Sequence, residues 1–243
     1  MSADLLSLRM LVVAAGQPAR DLWRRGATLT SVPIDFVGAS PATAAVELAK
    51  GGIDIVVIDF ALPDVSKSAI ANIARAMEPA PFVVMSAPPG SRRLEGTDGT
   101  VAKPTDVDAA RNIAECCIRA RIPARVMIVD DSSTMRSIVR KILLASHFAM
   151  EICEADEGLA ALNRLRTGNF DLVFLDYNMP GLNGLETLME IKRFNNKVGV
   201  VIMTSADDDV MSNLVRAAGA LGFLKKPFYP ADIDALLQRH YGL

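Results

Sequence analysis

Short runs rich in Val, Ile, Leu and Met punctuate the chain, each followed by a longer stretch with helical periodicity. In the second half the runs are VMIVD (126–130), AMEICEA (149–155), DLVFLD (171–176), GVVIMTS (199–205) and GFLKK (222–226). Runs that are apolar throughout, without alternation, suit strands covered on both faces, which means parallel strands in an α/β sheet. The intervening segments carry helix-start signals: Ser132 and Ser133 precede MRSIVRKILL, and Asp207 to Asp209 precede VMSNLVRAAG. Both place side-chain oxygens near the free N–H groups of a helix start. Five such βα units in so short a segment predict a doubly wound, flavodoxin-like sheet.

The first half repeats the plan with RMLVVAA (9–15), IDFVGAS (34–40), DIVVIDF (54–60), PFVVMSA (81–87) and TVAKP (100–104). VIDFALP at 57–63 parallels FLDYNMP at 174–180, an offset of 117 (176 − 59). Ser86-Ala87 parallels Ser205-Ala206 at an offset of 119 (205 − 86), and Lys103-Pro104 parallels Lys226-Pro227 at 123 (226 − 103). The offset grows by four between the last two landmarks, which predicts that the first copy has lost about one helical turn there. The segment concerned, PPGSRRLEGTDGT (88–100), has the Pro, Gly and Asp content of a loop. Pro123 stops the last helix of copy one. The expectation is α/β, with two flavodoxin-like (βα)5 domains in tandem at 1–121 and 122–243, joined by only a few residues and packed closely.

Composition narrows the class without changing the fold. Of 243 residues, 51% are hydrophobic, which excludes a chain that stays unfolded. Twenty-six Lys and Arg against 28 Asp and Glu leave no basic bias for a nucleic-acid partner. No apolar run approaches the length of a membrane span, and an acid near the N-terminus argues against a signal peptide. Cys116, Cys117 and Cys153 fit no metal or redox spacing and read as small hydrophobes in a reducing compartment. A cytoplasmic protein is expected.

In open α/β sheets the site lies at the carboxyl ends of the strands. There copy two collects Asp130 and Asp131, Asp176, Ser205 and Lys226, one group per strand end. Three carboxylates converging on one spot repel one another unless a divalent cation sits among them, and Mg²⁺ favours such hard oxygen donors. Lys226 adds a cation and Ser205 a hydroxyl, a set suited to a tetrahedral anion beside a metal. Singly, each has a duller reading: a helix cap, a solvated lysine, a turn serine. The combination at successive strand ends carries the functional reading. Pro180 and Gly181 shape the loop after Asp176, and Gly184 lies where the next helix begins. His147 and His240 lie far in sequence from every strand end and read as surface or core residues.

IVDDSS, LDYNMPGLNG, MTSA and FLKKPF together resemble the receiver domain of bacterial two-component response regulators, over essentially all of 124–243. The resemblance implies that Asp176 is the phosphoacceptor, attacking the phosphorus of a phosphohistidine to form an acyl phosphate. It further implies Mg²⁺ bound by Asp131, Asp176 and the backbone carbonyl of Asn178, with Asp130 acting through water. By the same resemblance Lys226 and Ser205 hold the phosphoryl group, and Ser205 couples it to an aromatic switch at Phe223. Asn178 and Asp207 lie where side chains tune hydrolysis of the acyl phosphate, and their small polar character predicts a short-lived phosphorylated state.

Copy one resembles the same family over roughly 8–121 but departs at the chemistry. Ala14 and Ala15 replace the acid pair, while Asp59, Ser86 and Lys103 remain. With one carboxylate in place of three, Mg²⁺ affinity should fall steeply, and Lys103 can pair with Asp59 as a structural salt bridge. Copy one therefore reads as a pseudo-receiver. Its missing helix also removes part of a face that receivers often use to dimerise.

The chain ends at HYGL, directly after the helix pattern DIDALLQRHYG, so no output segment is expected and the chain reads as complete. The resemblance implies a stand-alone response regulator whose partners are a histidine kinase or histidine phosphotransfer protein, a downstream effector protein and, as a further option, a second copy of itself. It catalyses only its own phosphorylation and dephosphorylation. Two alternatives stand beside this. One is a phosphate sink or relay element without an effector. The other is an aspartyl-phosphate phosphatase, which needs an acid two residues beyond the nucleophile where this chain has Asn178.

Overall fold

The structure, a computed structural model, describes residues 7–205 and 209–243, with side chains from 213 onward in the second segment. The chain divides into two compact units. One comprises the chain up to Ile122 together with Tyr241–Leu243, and the other is Pro123–His240.

The first unit runs β1 (Leu8–Val13), α1 (Gln17–Ala27), β2 (Ile34–Ala39), α2 (Pro41–Ala49), β3 (Ile55–Asp59), α3 (Asp64–Arg75), β4 (Phe82–Ala87), β5 (Gly99–Ala102) and α4 (Val107–Arg121). Its five strands pair in parallel in the order β2-β1-β3-β4-β5. The second unit runs β6 (Ala124–Val129), α5 (Ser133–Leu144), β7 (Met150–Ala155), α6 (Gly158–Thr167), β8 (Leu172–Asp176), α7 (Gly184–Phe194), β9 (Gly199–Thr204), α8 (Asp209–Ala217), β10 (Gly222–Lys225) and α9 (Pro230–Tyr241). Its parallel order is the same, β7-β6-β8-β9-β10. Both are the doubly wound arrangement that the apolar runs predict.

Burial follows strand position. Every residue of β3, β4, β8 and β9 is buried. The edge strands β2 and β7 are only partly covered, which is why IDFVGA and MEICEA admit acids. The described helices include none long and apolar enough to cross a membrane.

Between β4 and β5 no helix forms, as the loop composition predicts. The replacement segment is fastened by Asp98, which is 1% exposed. Its carboxylate accepts from Val83 N at 2.7 Å and pairs with Arg75 of α3, whose Nε also donates to the Gly96 carbonyl at 2.9 Å. Leu94 packs on the core around Val56, Ile70 and Val83. A half-buried ion pair and one leucine thus fasten the segment that stands where the second unit has a helix.

Sheet register corrects one sequence parallel. Asp59 pairs with Ser86, and Asp176 pairs with Met203. The next backbone bonds agree: Phe60 N donates to Ser86 O and Tyr177 N to Met203 O, each at 2.9 Å. Ser86 is therefore the counterpart of Met203, and Pro88 holds the position of Ser205. The Ser-Ala dipeptides matched by composition, whereas register is fixed by which residues face the core. Ser86 pairs with Val101 and Met203 with Leu224, so Lys103 does correspond to Lys226. The offset is 117 through β4 (203 − 86) and 123 at β5 (224 − 101), so the first copy is six residues shorter here, not four.

Candidate functional site

The site of the second unit is assembled by three strand ends. After β6, Asp130 Oδ1 accepts from Ser132 N at 2.9 Å, and Ser132 Oγ accepts from Met135 N at 3.3 Å. Ser132, and neither acid, therefore caps α5. Asp130 is 1% exposed. Asp176 is the last residue of β8 and 6% exposed. Helix α7 begins directly against it. Gly184 N donates to Tyr177 O at 3.0 Å, and a Cβ on Gly184 would lie 2.7 Å from Tyr177 Cα, so only glycine fits. Asn183 and Glu186 close the helix start with a reciprocal capping box.

Lys226 follows β10 and joins the two acids. Its Nζ lies 2.7 Å from Asp130 Oδ2 and 2.7 Å from Asp176 Oδ1. Asp131 is exposed beside them, and one oxygen from each of Asp130, Asp131 and Asp176 falls within 4.8 Å of the others. Among the described residues this is the one such acidic trio. Three carboxylates against one ammonium leave excess negative charge, an all-oxygen donor set fit for a hard divalent cation.

Protonation follows from the same count. Burial pushes the Asp176 carboxyl above its usual value; Lys226 pulls it back, Asp130 raises it further, and the Asn178 amide lowers it by hydrogen bonding. Burial alone would lower Lys226, but bonds and charge from Asp130 and Asp176 outweigh it and hold its pKa up. The lysine has two carboxylates, whereas each carboxylate has a share of one lysine.

The other expected residues are placed unequally. Asn178 is exposed, one residue past Tyr177. Phe223 is partly buried against the core that includes Ile202 and Val215. Asp207 lies outside the described residues. Ser205 lies one residue past the end of β9 and is exposed. The last strand residue, Thr204, is fully buried, and its carbonyl accepts from Lys226 N at 2.7 Å. Strand alternation puts Thr204 on the sheet face of Ile202, whose register partner is Phe223. Asp176 pairs with Met203, so alternation leaves Thr204 on the face away from Asp176 and Ser205 on the same face as Asp176. Arg136 was missed by the sequence reading. It donates to the Asp130 carbonyl at 2.8 Å, and its repeat counterpart Arg20 could have signalled it.

In the first unit Ala14 is buried and Ala15 exposed where the acids stand in the second. Asp59 is 8% exposed and accepts from Ala61 N at 2.9 Å. Lys103 Nζ lies 3.2 Å from it, the salt bridge that the sequence suggests. Ser86 instead donates to the Ala102 carbonyl at 3.5 Å. The glycine at the start of α7 has Lys67 as its counterpart. This buried lysine lies 2.9 Å from Asp64, 3.1 Å from the Phe60 carbonyl and 4.5 Å from the Phe60 ring centroid.

The comparisons with known proteins agree with this geometry. The model of the response regulator receiver domain matches residues 126–238. Chemotaxis protein CheY-3 of Vibrio cholerae is 35% identical over 117 residues, 47% of this chain and 89% of that protein. Chemotaxis protein CheY of Pseudomonas aeruginosa is 34% identical over 106 residues, 43% of this chain and 85% of that protein. The solved structure of a probable two-component system response regulator/GGDEF domain protein superimposes over 96% of this chain and 97% of that one, with a TM-score of 0.58 at 20% identity, a likeness of fold alone. With a receiver domain matched on its second unit and a receiver-like fold in both, the chain belongs to the family of two-component response regulators.

Proposed function

We propose that the second unit accepts a phosphoryl group on Asp176 from a phosphohistidine of a histidine kinase or phosphotransfer protein. The observation that carries this reading is a nearly buried Asp176 joined to Asp130 through Lys226, with Asp131 exposed beside them. An Asp176 oxygen attacks phosphorus, the P–N bond breaks, and the donor imidazole leaves with the electron pair and is protonated. Lys226, already charged, has its ammonium beside the new phosphate and loses one carboxylate charge as Asp176 becomes an acyl phosphate. Mg²⁺, held by Asp131, Asp176 and the Asn178 carbonyl, with Asp130 acting through water, would supply positive charge against the phosphoryl oxygens.

One hydroxyl just past the end of β9, that of the exposed Ser205, can answer the new anion; Thr204 is buried on the opposite face, with Ile202 and Phe223. Phe223 has no hydroxyl, so any change it makes is one of packing, altering the surface offered to an effector. The first unit lacks the acid pair and is proposed to stay unphosphorylated, serving as a docking or dimerisation module or as a brake. The chain acts on no substrate but its own acyl phosphate and works in the cytoplasm.

The test is transfer from a ³²P-labelled histidine phosphotransfer protein with Mg²⁺. Label should appear in a peptide containing Asp176 and be lost in Asp176→Asn. Label on an Asp59 peptide would overturn the assignment.

A further inference from the structure

The acidic loop of the second unit is held by a network reaching across to the edge strand. Arg136, in the first turn of α5, donates through Nη1 to the carbonyl of Asp130 at 2.8 Å and that of Asp131 at 3.5 Å. Its Nε donates to Glu154 of β7 at 3.1 Å, and the other Glu154 oxygen accepts from Arg140 at 2.7 Å. Arg140 touches neither loop carbonyl; its second bond is to Ile152 O at 3.4 Å. A carbonyl fixed this way fixes its whole peptide plane, since C=O and the following N–H are rigidly opposed. The plane between Asp130 and Asp131 sets the direction in which the exposed Asp131 leaves the backbone.

The first unit supplies a natural comparison. Arg20, at the same offset as the acid pair (136 − 20 = 116; 130 − 14 = 116), donates to the carbonyls of Ala14 and, at 2.9 Å, Ala15. There the guanidinium is steadied by neutral Gln17 at 2.7 Å, and Gly38 occupies the register position of Glu154. The arginine is thus kept where there are no acids, whereas its carboxylate partner occurs only in the copy that has them. A bare guanidinium beside a cation site would repel the cation, and Glu154, which it shares with Arg140, offsets part of that charge. Hydrogen bonds from Arg140 and then Arg136 hold the Glu154 carboxyl below its usual range, so it stays ionised.

We infer that Arg136 is a positioning residue for the Asp130–Asp131 pair, with Glu154 as the anchor that holds it and offsets part of its charge, and that together they set the affinity of the second unit for a divalent cation. The inference rests on the proposed reading of the acidic trio as a Mg²⁺ site.

The test is Mg²⁺ titration of the full chain by calorimetry, with thermal melting as a check on folding. Arg136→Met should weaken Mg²⁺ roughly ten- to hundredfold, the usual effect of losing an outer-shell partner. Arg136→Lys should recover part of the loss, and Glu154→Gln should weaken binding by exposing the guanidinium charge. If Arg136→Met does not fold, the last two carry the test. Arg140→Gln, which leaves Glu154 to Arg136 alone, should bind at least as tightly as the wild type. Unchanged or tighter binding in Arg136→Met, or an equal loss in Arg140→Gln, would overturn the inference. A wild type that binds no Mg²⁺, or binds it equally after Asp131→Asn, would overturn the Mg²⁺ site and this inference with it.

Discussion

Replacing Lys226 by Met removes the shared cation while keeping most of its stem. The wild-type ammonium is 2.7 Å from a carboxylate oxygen on either side, with side-chain exposures of 12% for Lys226, 2% for Asp130 and 9% for Asp176. Without it, two carboxylates remain with oxygens no more than 4.8 Å apart. At an effective dielectric of about 20 their repulsion is about 3.5 kcal/mol, comparable with the roughly 3–5 kcal/mol lost when one partner of a buried pair is removed. For a unit of 118 residues (123 to 240), such a loss lowers the melting temperature by about 10–20 °C. Lys103→Met is the control: Lys103 is 47% exposed with the single partner Asp59, and its loss should cost about 1 kcal/mol or less. Calorimetric melting at pH 7 in chelator should show the large shift for Lys226→Met only, and excess Mg²⁺ should restore part of it. If the two variants melt together, the acids do not converge on Lys226 and the site geometry is wrong.

Two further outcomes follow from the same corner. Burial, with Asp130 nearby, raises the folded pKa of Asp176 above the ordinary aspartate value of 3.8, so ionising it at neutral pH disfavours folding. That cost is fully present above the folded pKa and vanishes below 3.8. Asp176→Asn should therefore melt higher than the wild type at pH 7 and show no advantage below pH 3.8; a gain that persisted in acid would contradict this. Gly184→Ala should cost about 1–3 kcal/mol, because its Cβ meets backbone 2.7 Å away at Tyr177 rather than a movable side chain. Melting together with amide spectra would show whether the loss comes with displacement of the 176–177 segment.

The fold was legible because parallel strands buried on both faces leave continuous apolar runs, and because the plan occurs twice. The loop at 88–98 was legible from its Pro and Gly content, although the Asp98–Arg75 pair that fastens it was not. Asp130, Asp131, Asp176 and Lys226 were legible because chain topology alone sends strand ends to one edge of the sheet. Residue facing was harder to see. Ser86 was matched by dipeptide identity two positions out of register. Arg136 and Glu154 lie 18 residues apart on different elements, and no local pattern ties such a pair together.

The most direct test of the central claim is intact-mass counting of phosphoryl groups after incubation with acetyl phosphate and Mg²⁺, on the wild type, Asp176→Asn and Asp59→Asn. One group on the wild type and on Asp59→Asn, with none on Asp176→Asn, is the expected result. Two groups on the wild type, or a single group lost in Asp59→Asn, would mean that the first unit retains the chemistry and that the division between an active and a degenerate copy is wrong.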